Sequence, residues 1–197
     1  MSAAYSDCSN LIYPAIGLRV NNITYAYRNC TSLRIPLCTN SIVNMVDAYR
    51  GCVNLTTAIV GESVTNAQAA YSNCTNLSGN AYIYANSVNT LRLFADRSNS
   101  KSLSIYVHKN SSTFNSVLRT NAASIVGYNI SWTYDNANER YYNSVYNIYV
   151  YPVANVAETR SRIEFTNILQ PQWNEIFHEN TGSIVAIKEK YKVSMEK

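Results

Sequence analysis

Charged residues are scarce in this chain: Asp, Glu, Lys and Arg make up only 14% of its 197 residues. Glycine, with six residues, and histidine, with two, are also rare. No apolar run approaches the roughly 18 residues that span a membrane, and the few glycines form no loop of the kind that cradles phosphates. These absences argue against a nucleotide-binding enzyme and against insertion into a membrane.

Neutral polar residues take the place of the missing charges. The chain contains 26 Asn and 17 Tyr, so its surface must consist mainly of uncharged Asn, Ser, Thr and Tyr. A hydrophobic content of 47% is high enough to form a core and excludes a disordered chain. The net charge of +4 is scattered rather than clustered. We therefore expect no nucleic-acid partner.

A 22-residue repeat dominates the first half of the chain. Four copies read AAYSDCSNL from Ala3, YAYRNCTSL from Tyr25, DAYRGCVNL from Asp47 and AAYSNCTNL from Ala69. A second element, Val-x-x-Ile or its equivalent, recurs between them, shifted to Val88-x-x-Leu91 in the last copy. A fifth, degenerate unit contains Phe94 and ends in an alternating segment, Leu103 to Val107. Such a period predicts a solenoid, in which each copy is one coil that stacks on its neighbours.

Stacking would place equivalent residues in columns along the solenoid. The expected columns are aromatic (Tyr5, Tyr27, Tyr49, Tyr71, Phe94), thiol (Cys8, Cys30, Cys52, Cys74) and aliphatic (Leu11, Leu33, Leu55, Leu77, Leu103). The polar residue before each Leu is expected to bond backbone groups where the coil turns; these residues are Asn10, Ser32, Asn54 and Asn76.

The cysteine column has three interpretations. Adjacent coils are close enough for disulfides, yet side chains in register point the same way, which favours reduced thiols buried as small apolar groups. A metal site needs ligands that converge on one point, whereas this spacing spreads them along an axis. Cys38 aligns with Ile16 and Val60, which indicates another core position.

The repeats resemble the BspA-type leucine-rich repeats, in which an Ala-aromatic pair, a Cys-Thr-Ser/Asn-Leu turn, a short strand and a Ser-Val-x-x-Ile segment alternate. The similarity runs from about Ala3 to Val107, and the segment Ser112 to Ile125 is similar to the short helix that ends such arrays. Tyr replaces the family's Phe in most copies. Pro14, Pro36 and Ala58 stand where the family's strand more often has Ile, so we expect a short sheet.

The remainder of the chain predicts short strands at Tyr128 to Tyr134, Val145 to Tyr151, Arg162 to Phe165 and Ile184 to Ile187. Pro152 is expected to end the second of these. We therefore divide the chain into a leucine-rich repeat solenoid with a terminal helix, residues 1–127, and a β-rich region for capping, docking or assembly, residues 128–197.

No residue pattern points to catalysis. His108 and His178 are far apart in sequence, and the segment Glu175 to Glu179 lacks the second His of a zinc protease helix. Acidic residues in the repeats are too few for a glycosidase pair. We expect no enzyme activity, no catalytic residue, no metal and no cofactor.

The expected role is recognition or assembly, because Tyr, Asn and Ser make good contact surfaces. BspA-type repeats mostly belong to secreted bacterial surface proteins, but the first residues, MSAAYSDCSN, lack a secretory signal. This mismatch leads us to expect a structural protein of a bacteriophage virion, in the tail, baseplate or capsid exterior. Its partners would be other virion proteins, copies of itself, or a host-surface protein or glycan. The alternatives are a bacterial surface adhesin and an intracellular scaffold.

Overall fold

The computed structural model describes residues 2–15, 17, 19–37 and 39–164. The chain divides into two compact units, Met1–Ala157 and Glu158–Lys197. In the first unit, successive 22-residue segments, here called coils, lie side by side. The backbone joins them directly, since the N–H groups of Ala3 and Tyr5 donate to the carbonyls of Thr24 and Ala26 in the next coil, at 3.0 and 2.8 Å. The same pattern recurs at every later coil boundary.

Each coil turns through two left-handed residues. The first set is Ala3, Tyr25, Asp47, Ala69 and Arg92, and the second is Asp7, Asn29, Gly51, Asn73 and Asp96. The second set consists of residue types that tolerate a positive φ. At Gly51 a Cβ would lie 2.3 Å from the side-chain oxygen of Asn29, so any larger residue there would require Asn29 to move.

A column of asparagines caps these turns. Asn22, Asn44, Asn66 and Asn89 pair with one another as isolated parallel bridges. The side-chain oxygen of each accepts the backbone N–H two residues later, at 2.9 to 3.2 Å. The turn-capping residue of the coil is therefore this asparagine. The polar residue before each Leu, to which the sequence assigned that role, lies elsewhere: Asn10 and Asn54 are exposed, and Asn76 accepts a bond from Lys101.

The fourth coil is one residue longer than the three before it. Asn66 pairs with Asn89, 23 residues later, so Thr90 takes the place that Ile23, Met45 and Ala67 hold in earlier coils. Thr90 is fully buried and bonds Ser116, whereas Leu91 is only half-buried. The alignment of Leu91 with the earlier apolar residues is wrong for this reason.

Six strands form one mixed sheet in the order β1-β2-β3-β6-β5-β4. Three come from the later coils: β1 is Ala58–Val60, β2 is Asn80–Ile83 and β3 is Leu103–His108. Three follow: β4 is Thr133–Asp135, β5 is Arg140–Asn143 and β6 is Ile148–Val153. The strands β1, β2, β3 and β6 are parallel, and β6-β5-β4 are antiparallel.

No described residue before Ala58 forms a strand. Pro14 and Pro36 stand at the corresponding places in the first two coils, and proline cannot donate a ladder hydrogen bond. The sheet also continues past residue 127, because β6 pairs with β3 from Leu103 to His108. The β-rich segment up to Val153 is thus built onto the strands of the coils.

Pro152 does not end its strand, contrary to expectation. Leu103 and Lys109 of the β3 side donate to the carbonyls of Asn147 and Val153, so the odd-numbered residues of β6 bond β3. The backbone nitrogen of Pro152, which carries no hydrogen, therefore faces away from β3. It faces the β5 side, where pairing has already ended at Val150, so the strand can continue through the proline.

Helical structure is short. Helix α1, Ser112–Val117, starts at the expected residue, with Ser111 accepting the N–H of Phe114, but it ends well before Ile125. Residues 156–164 are also helical, which contradicts the strand predicted from Arg162. The predicted strand Ile184 to Ile187, the segment Glu175 to Glu179 with His178, and Cys38 lie outside the described residues. Within the described ranges, no helix is long and apolar enough to cross a bilayer.

Candidate binding face

The aromatic residues of the repeat form a continuous stack inside the coils. Ring centroids are 5.4 Å apart for Tyr5 and Tyr27, 5.2 Å for Tyr27 and Tyr49, and 5.3 Å for Tyr49 and Tyr71, with nearly parallel planes. Phe94 continues the stack at 6.0 Å with a tilted ring. Tyr27, Tyr49, Tyr71 and Phe94 are fully buried. This column is core and offers no surface to a ligand.

The phenol hydroxyls of this column explain why tyrosine is used. The hydroxyl of Tyr71 donates to the carbonyl of Ile59 at 2.7 Å and accepts its N–H at 3.0 Å. Tyr49 does the same for Leu37, and Tyr27 donates to Ala15. Each hydroxyl thus bonds backbone groups 12 residues earlier. At Ala15 and Leu37 these groups belong to no strand, and at Ile59 they belong to the edge strand β1, so the sheet does not pair them.

Phe94 marks the place where that hydroxyl is not needed. The residue 12 positions before it is Tyr82, which lies in β2 between β1 and β3. In the interior of a sheet, the ladder itself pairs the backbone groups. The change from Tyr to Phe in the last coil therefore follows the growth of the sheet.

The four repeat cysteines are free thiols, of which Cys8 is exposed and Cys30, Cys52 and Cys74 are buried. Each buried thiol donates to the carbonyl of the column tyrosine one coil earlier: Cys30 to Tyr5, Cys52 to Tyr27 and Cys74 to Tyr49, at 2.9 to 3.1 Å. Burial raises the pKa of Cys30 to about 11 and that of Cys52 to about 12. The thiols are held protonated as small interior donors.

The leucine column is interior as well. Leu33, Leu55 and Leu77 are fully buried, and Leu11 packs partly buried against the same core. Leu103 is buried but belongs to β3. Because Ser104 pairs with Asn80, Leu103 lies beside Gly79 rather than beside Leu77.

Arg97 occupies the cysteine position of the last coil. It follows the left-handed Asp96 as each column cysteine follows its left-handed residue. Its guanidinium is buried and donates to the carbonyls of Leu77, Ser98, Lys101, Tyr146 and Asn147. Burial lowers its pKa to about 10. Arg97 joins the fourth coil to the turn before β6, so its role is in the interior of the fold.

The opposite face of the sheet is rich in tyrosine. Side chains alternate along each strand, and those of Ala81, Ile83, Ile105, Val107 and Val150 point to the core. The other set forms two rows across the strands, which we call the tyrosine face. One row is Ile59, Tyr82, Tyr106, Tyr151, Arg140 and Asp135, and the other is Asn80, Ser104, Tyr149, Tyr142 and Thr133.

The rings of the first row are stacked on one another. Tyr82 and Tyr106 have centroids 5.4 Å apart, and Tyr106 and Tyr151 have centroids 5.1 Å apart. The side-chain amide of Asn80 donates to the Tyr82 hydroxyl at 3.1 Å. Tyr82 is buried by its neighbours, whereas Tyr106, Tyr149 and Tyr151 are half-buried. The row therefore presents ring edges and hydroxyls rather than open ring faces.

Arg140 organises the far end of the face. Its guanidinium lies 4.6 Å from the Tyr149 ring centroid and 5.7 Å from that of Tyr151. It donates to the Tyr151 hydroxyl at 2.8 Å and to Asp135 at 3.1 Å. Hydrogen bonds from Asn138 and Arg140 hold the pKa of Asp135 below its usual value. The one cation and one carboxylate of the two rows thus pair with each other.

None of the expected column residues belongs to this face. Tyr106, Tyr149 and Tyr151 lie in segments that the sequence predicted to be strands, but no tyrosine of the face was predicted as a contact residue. A signal for them exists: Tyr82 and Tyr84, and likewise Tyr149 and Tyr151, are spaced by two, the spacing of side chains on one face of a strand. Register, which brings Tyr82, Tyr106 and Tyr151 together, is not visible in that spacing.

In the described part of the chain, no three His, Cys, Asp or Glu side chains are grouped so that they could hold a metal ion. His108 lies at the margin of the tyrosine face, where its Nδ1 accepts the N–H of Asn110. Searches against protein-family models, curated proteins and solved structures yield no match to this chain.

Proposed function

We propose that this chain is a non-enzymatic recognition or assembly protein and that the tyrosine face is its contact surface. The observation that carries the proposal is the two-row array on the outward side of the sheet, in which four half-buried tyrosines, Tyr106, Tyr142, Tyr149 and Tyr151, lie with Asn80, Ser104 and Arg140. Tyrosine gives a large contact area at a small entropy cost, and hydroxyl and amide groups adapt their hydrogen bonds to a partner.

The contact surface is also rigid. The stacked rings of Tyr82, Tyr106 and Tyr151 restrict one another, and Arg140 ties the Tyr151 hydroxyl to Asp135. A preorganised surface loses little side-chain entropy when a partner binds. The coils behind it serve as the scaffold that holds the strands in register.

We further propose that the coils form a BspA-type leucine-rich repeat solenoid and that the protein is part of a bacteriophage particle. The repeat resemblance supports the class. A surface of Asn, Ser, Thr and Tyr with few charges supports a role in contacts between virion proteins or between the particle and its host. The proposed partners are other virion proteins, copies of this chain, or a host-surface molecule.

The location of the chain is tested by mass spectrometry of phage particles that are purified from a culture producing it. We expect many copies per particle, at a constant ratio to the major capsid protein through a density gradient. Recovery of the chain in the cell envelope of particle-free cells would overturn the virion assignment in favour of a surface adhesin. Recovery only in the soluble fraction with one partner protein would overturn it in favour of an intracellular scaffold.

A further inference from the structure

We propose that the tyrosine face binds a linear, uncharged polysaccharide. This inference rests on the proposed function and names the chemical class of partner that the face recognises.

The shape fits an extended chain. The face crosses six hydrogen-bonded strands, which at about 4.8 Å each give a track of roughly 24 Å. Both rows run in the same direction across the strands, from Ile59 toward Asp135 and from Asn80 toward Thr133. A polymer laid along the track would meet one side chain of each row at every strand spacing.

The groups along the track suit a polyol. The two rows present four half-buried phenols, two aliphatic hydroxyls at Ser104 and Thr133, and the amide of Asn80. A hydroxyl both donates and accepts a hydrogen bond, as do the hydroxyls of a sugar. Tyrosine also combines an apolar ring edge with a polar tip, which matches a sugar that alternates C–H and O–H groups.

The charge of the face favours a neutral partner. Arg140 and Asp135 are its ionised residues and bond each other, so a charged ligand would have to compete with a formed pair. Burial and the neighbouring phenols of Tyr151 and Tyr82 raise the pKa of Tyr106, so that its hydroxyl stays protonated. An acidic polymer therefore finds no unpaired cation along the two rows.

The packing of the rings argues against a proline-rich peptide, which is the other extended ligand that aromatic surfaces bind. Such peptides insert proline rings into grooves between aromatic side chains. Here the centroids of Tyr82, Tyr106 and Tyr151 are 5.1 and 5.4 Å apart, so the rings touch and leave no slot. A sugar chain lying across the ring edges needs no slot.

The test uses the full chain on an immobilised panel of neutral, sialylated and sulfated glycans, together with proline-rich peptides. The variant Y106F/Y149F/Y151F removes three face hydroxyls and keeps every ring. The matched control is Tyr128→Phe, an exposed tyrosine outside the sheet. Thermal unfolding of both variants is measured alongside, so that loss of binding is separated from loss of fold.

We expect binding to at least one class of unbranched neutral glycan, with an affinity that changes little between about 0.05 and 0.5 M NaCl, because no ion pair contributes. The triple variant should lose about tenfold or more in affinity, since three hydrogen bonds are removed. Tyr128→Phe should bind like the wild type.

The inference is overturned by binding restricted to acidic glycans or peptides, by no binding to any neutral glycan, or by a folded triple variant that binds like the wild type. These results are independent of the particle experiment. A chain found in particles without glycan binding retains the proposed function and loses only this inference. A glycan-binding chain absent from particles retains the inference and loses the virion assignment.

Discussion

The molecule contains two sets of stacked tyrosines with nearly the same ring spacing and opposite roles. The interior column joins Tyr27, Tyr49 and Tyr71 at 5.2 and 5.3 Å, and the face joins Tyr82, Tyr106 and Tyr151 at 5.4 and 5.1 Å. In the column the hydroxyls bond the protein's own backbone, whereas on the face the hydroxyls of Tyr82 and Tyr151 accept hydrogen bonds from the side chains of Asn80 and Arg140. The stacking distance follows from the strand and coil spacing, while the role follows from which side of the backbone is covered.

Removal of a ring from the interior column should cause the largest loss of stability. Tyr49→Ala should destabilise the fold by about 3–5 kcal/mol, because it leaves a cavity between Tyr27 and Tyr71. Urea unfolding followed by tyrosine fluorescence measures the loss. Tyr149→Ala is the control from the face and should cost clearly less, since its ring is half-buried. Equal losses for the two variants would contradict the distinction.

Arg97 in the interior and Arg140 on the face should differ in the same way. Arg97→Met should destabilise the protein by about 2–4 kcal/mol, because several buried carbonyls, among them those of Leu77 and Tyr146, lose their charged donor. Arg140→Met on the face should destabilise the protein clearly less than Arg97→Met, because its ion pair with Asp135 lies at the surface and is screened by solvent. Chemical denaturation of both variants under one condition measures the difference, and the reverse order would refute our interpretation of Arg97.

Hydroxyl deletion isolates the role of the phenol. Tyr71→Phe keeps the ring and should cost about 1–3 kcal/mol, because the N–H and carbonyl of Ile59 lose their partner at the edge of the sheet. Tyr106→Phe should change stability by less than about 0.5 kcal/mol. Thermal unfolding of the pair, with hydrogen exchange at Ile59, provides the measurement. An unaffected Tyr71→Phe would mean that the edge is satisfied in another way.

The buried thiols produce an effect that is absent near neutral pH and appears only in alkaline solution. Above pH 9, the ordinary value for a thiol, the unfolded cysteines ionise, while burial keeps Cys30 and Cys52 protonated to about 11 and 12. Unfolding then releases protons, so stability is fully present below pH 9 and falls as pH rises toward 11. Each thiol adds a slope of up to about 1.4 kcal/mol per pH unit.

Cys52→Ala should lower that slope relative to the wild type, whereas Cys8→Ala, which removes an exposed thiol, should leave it unchanged. Urea midpoints at pH 8, 9 and 10 with a common ionic strength measure both slopes. Identical slopes in the three proteins would show that Cys52 does not stay protonated in the folded state.

Much of the coil could be anticipated from residues alone, because a repeated residue meets its own copy when coils stack. The register at the end of the fourth coil could not, since a single extra residue before Thr90 places Thr90 in the core and leaves Leu91 half-buried. The asparagine column was visible at Asn22, Asn44 and Asn66 but competed with other repeated asparagines. Only backbone geometry distinguishes the one that accepts the N–H two residues later.

What the sequence by itself determined is the 22-residue period and, through it, which residues share a column and which are small, aromatic or thiol. What only the tertiary structure decided is the tyrosine face, because its members come from six different strands whose pairing depends on contacts far apart in the chain. The physical reason is that a period is a local property of the chain, whereas the register between β3 and β6 is set by burying Ile105 and Val150 on one side of the sheet. That same burial leaves Tyr106 and Tyr151 side by side on the other.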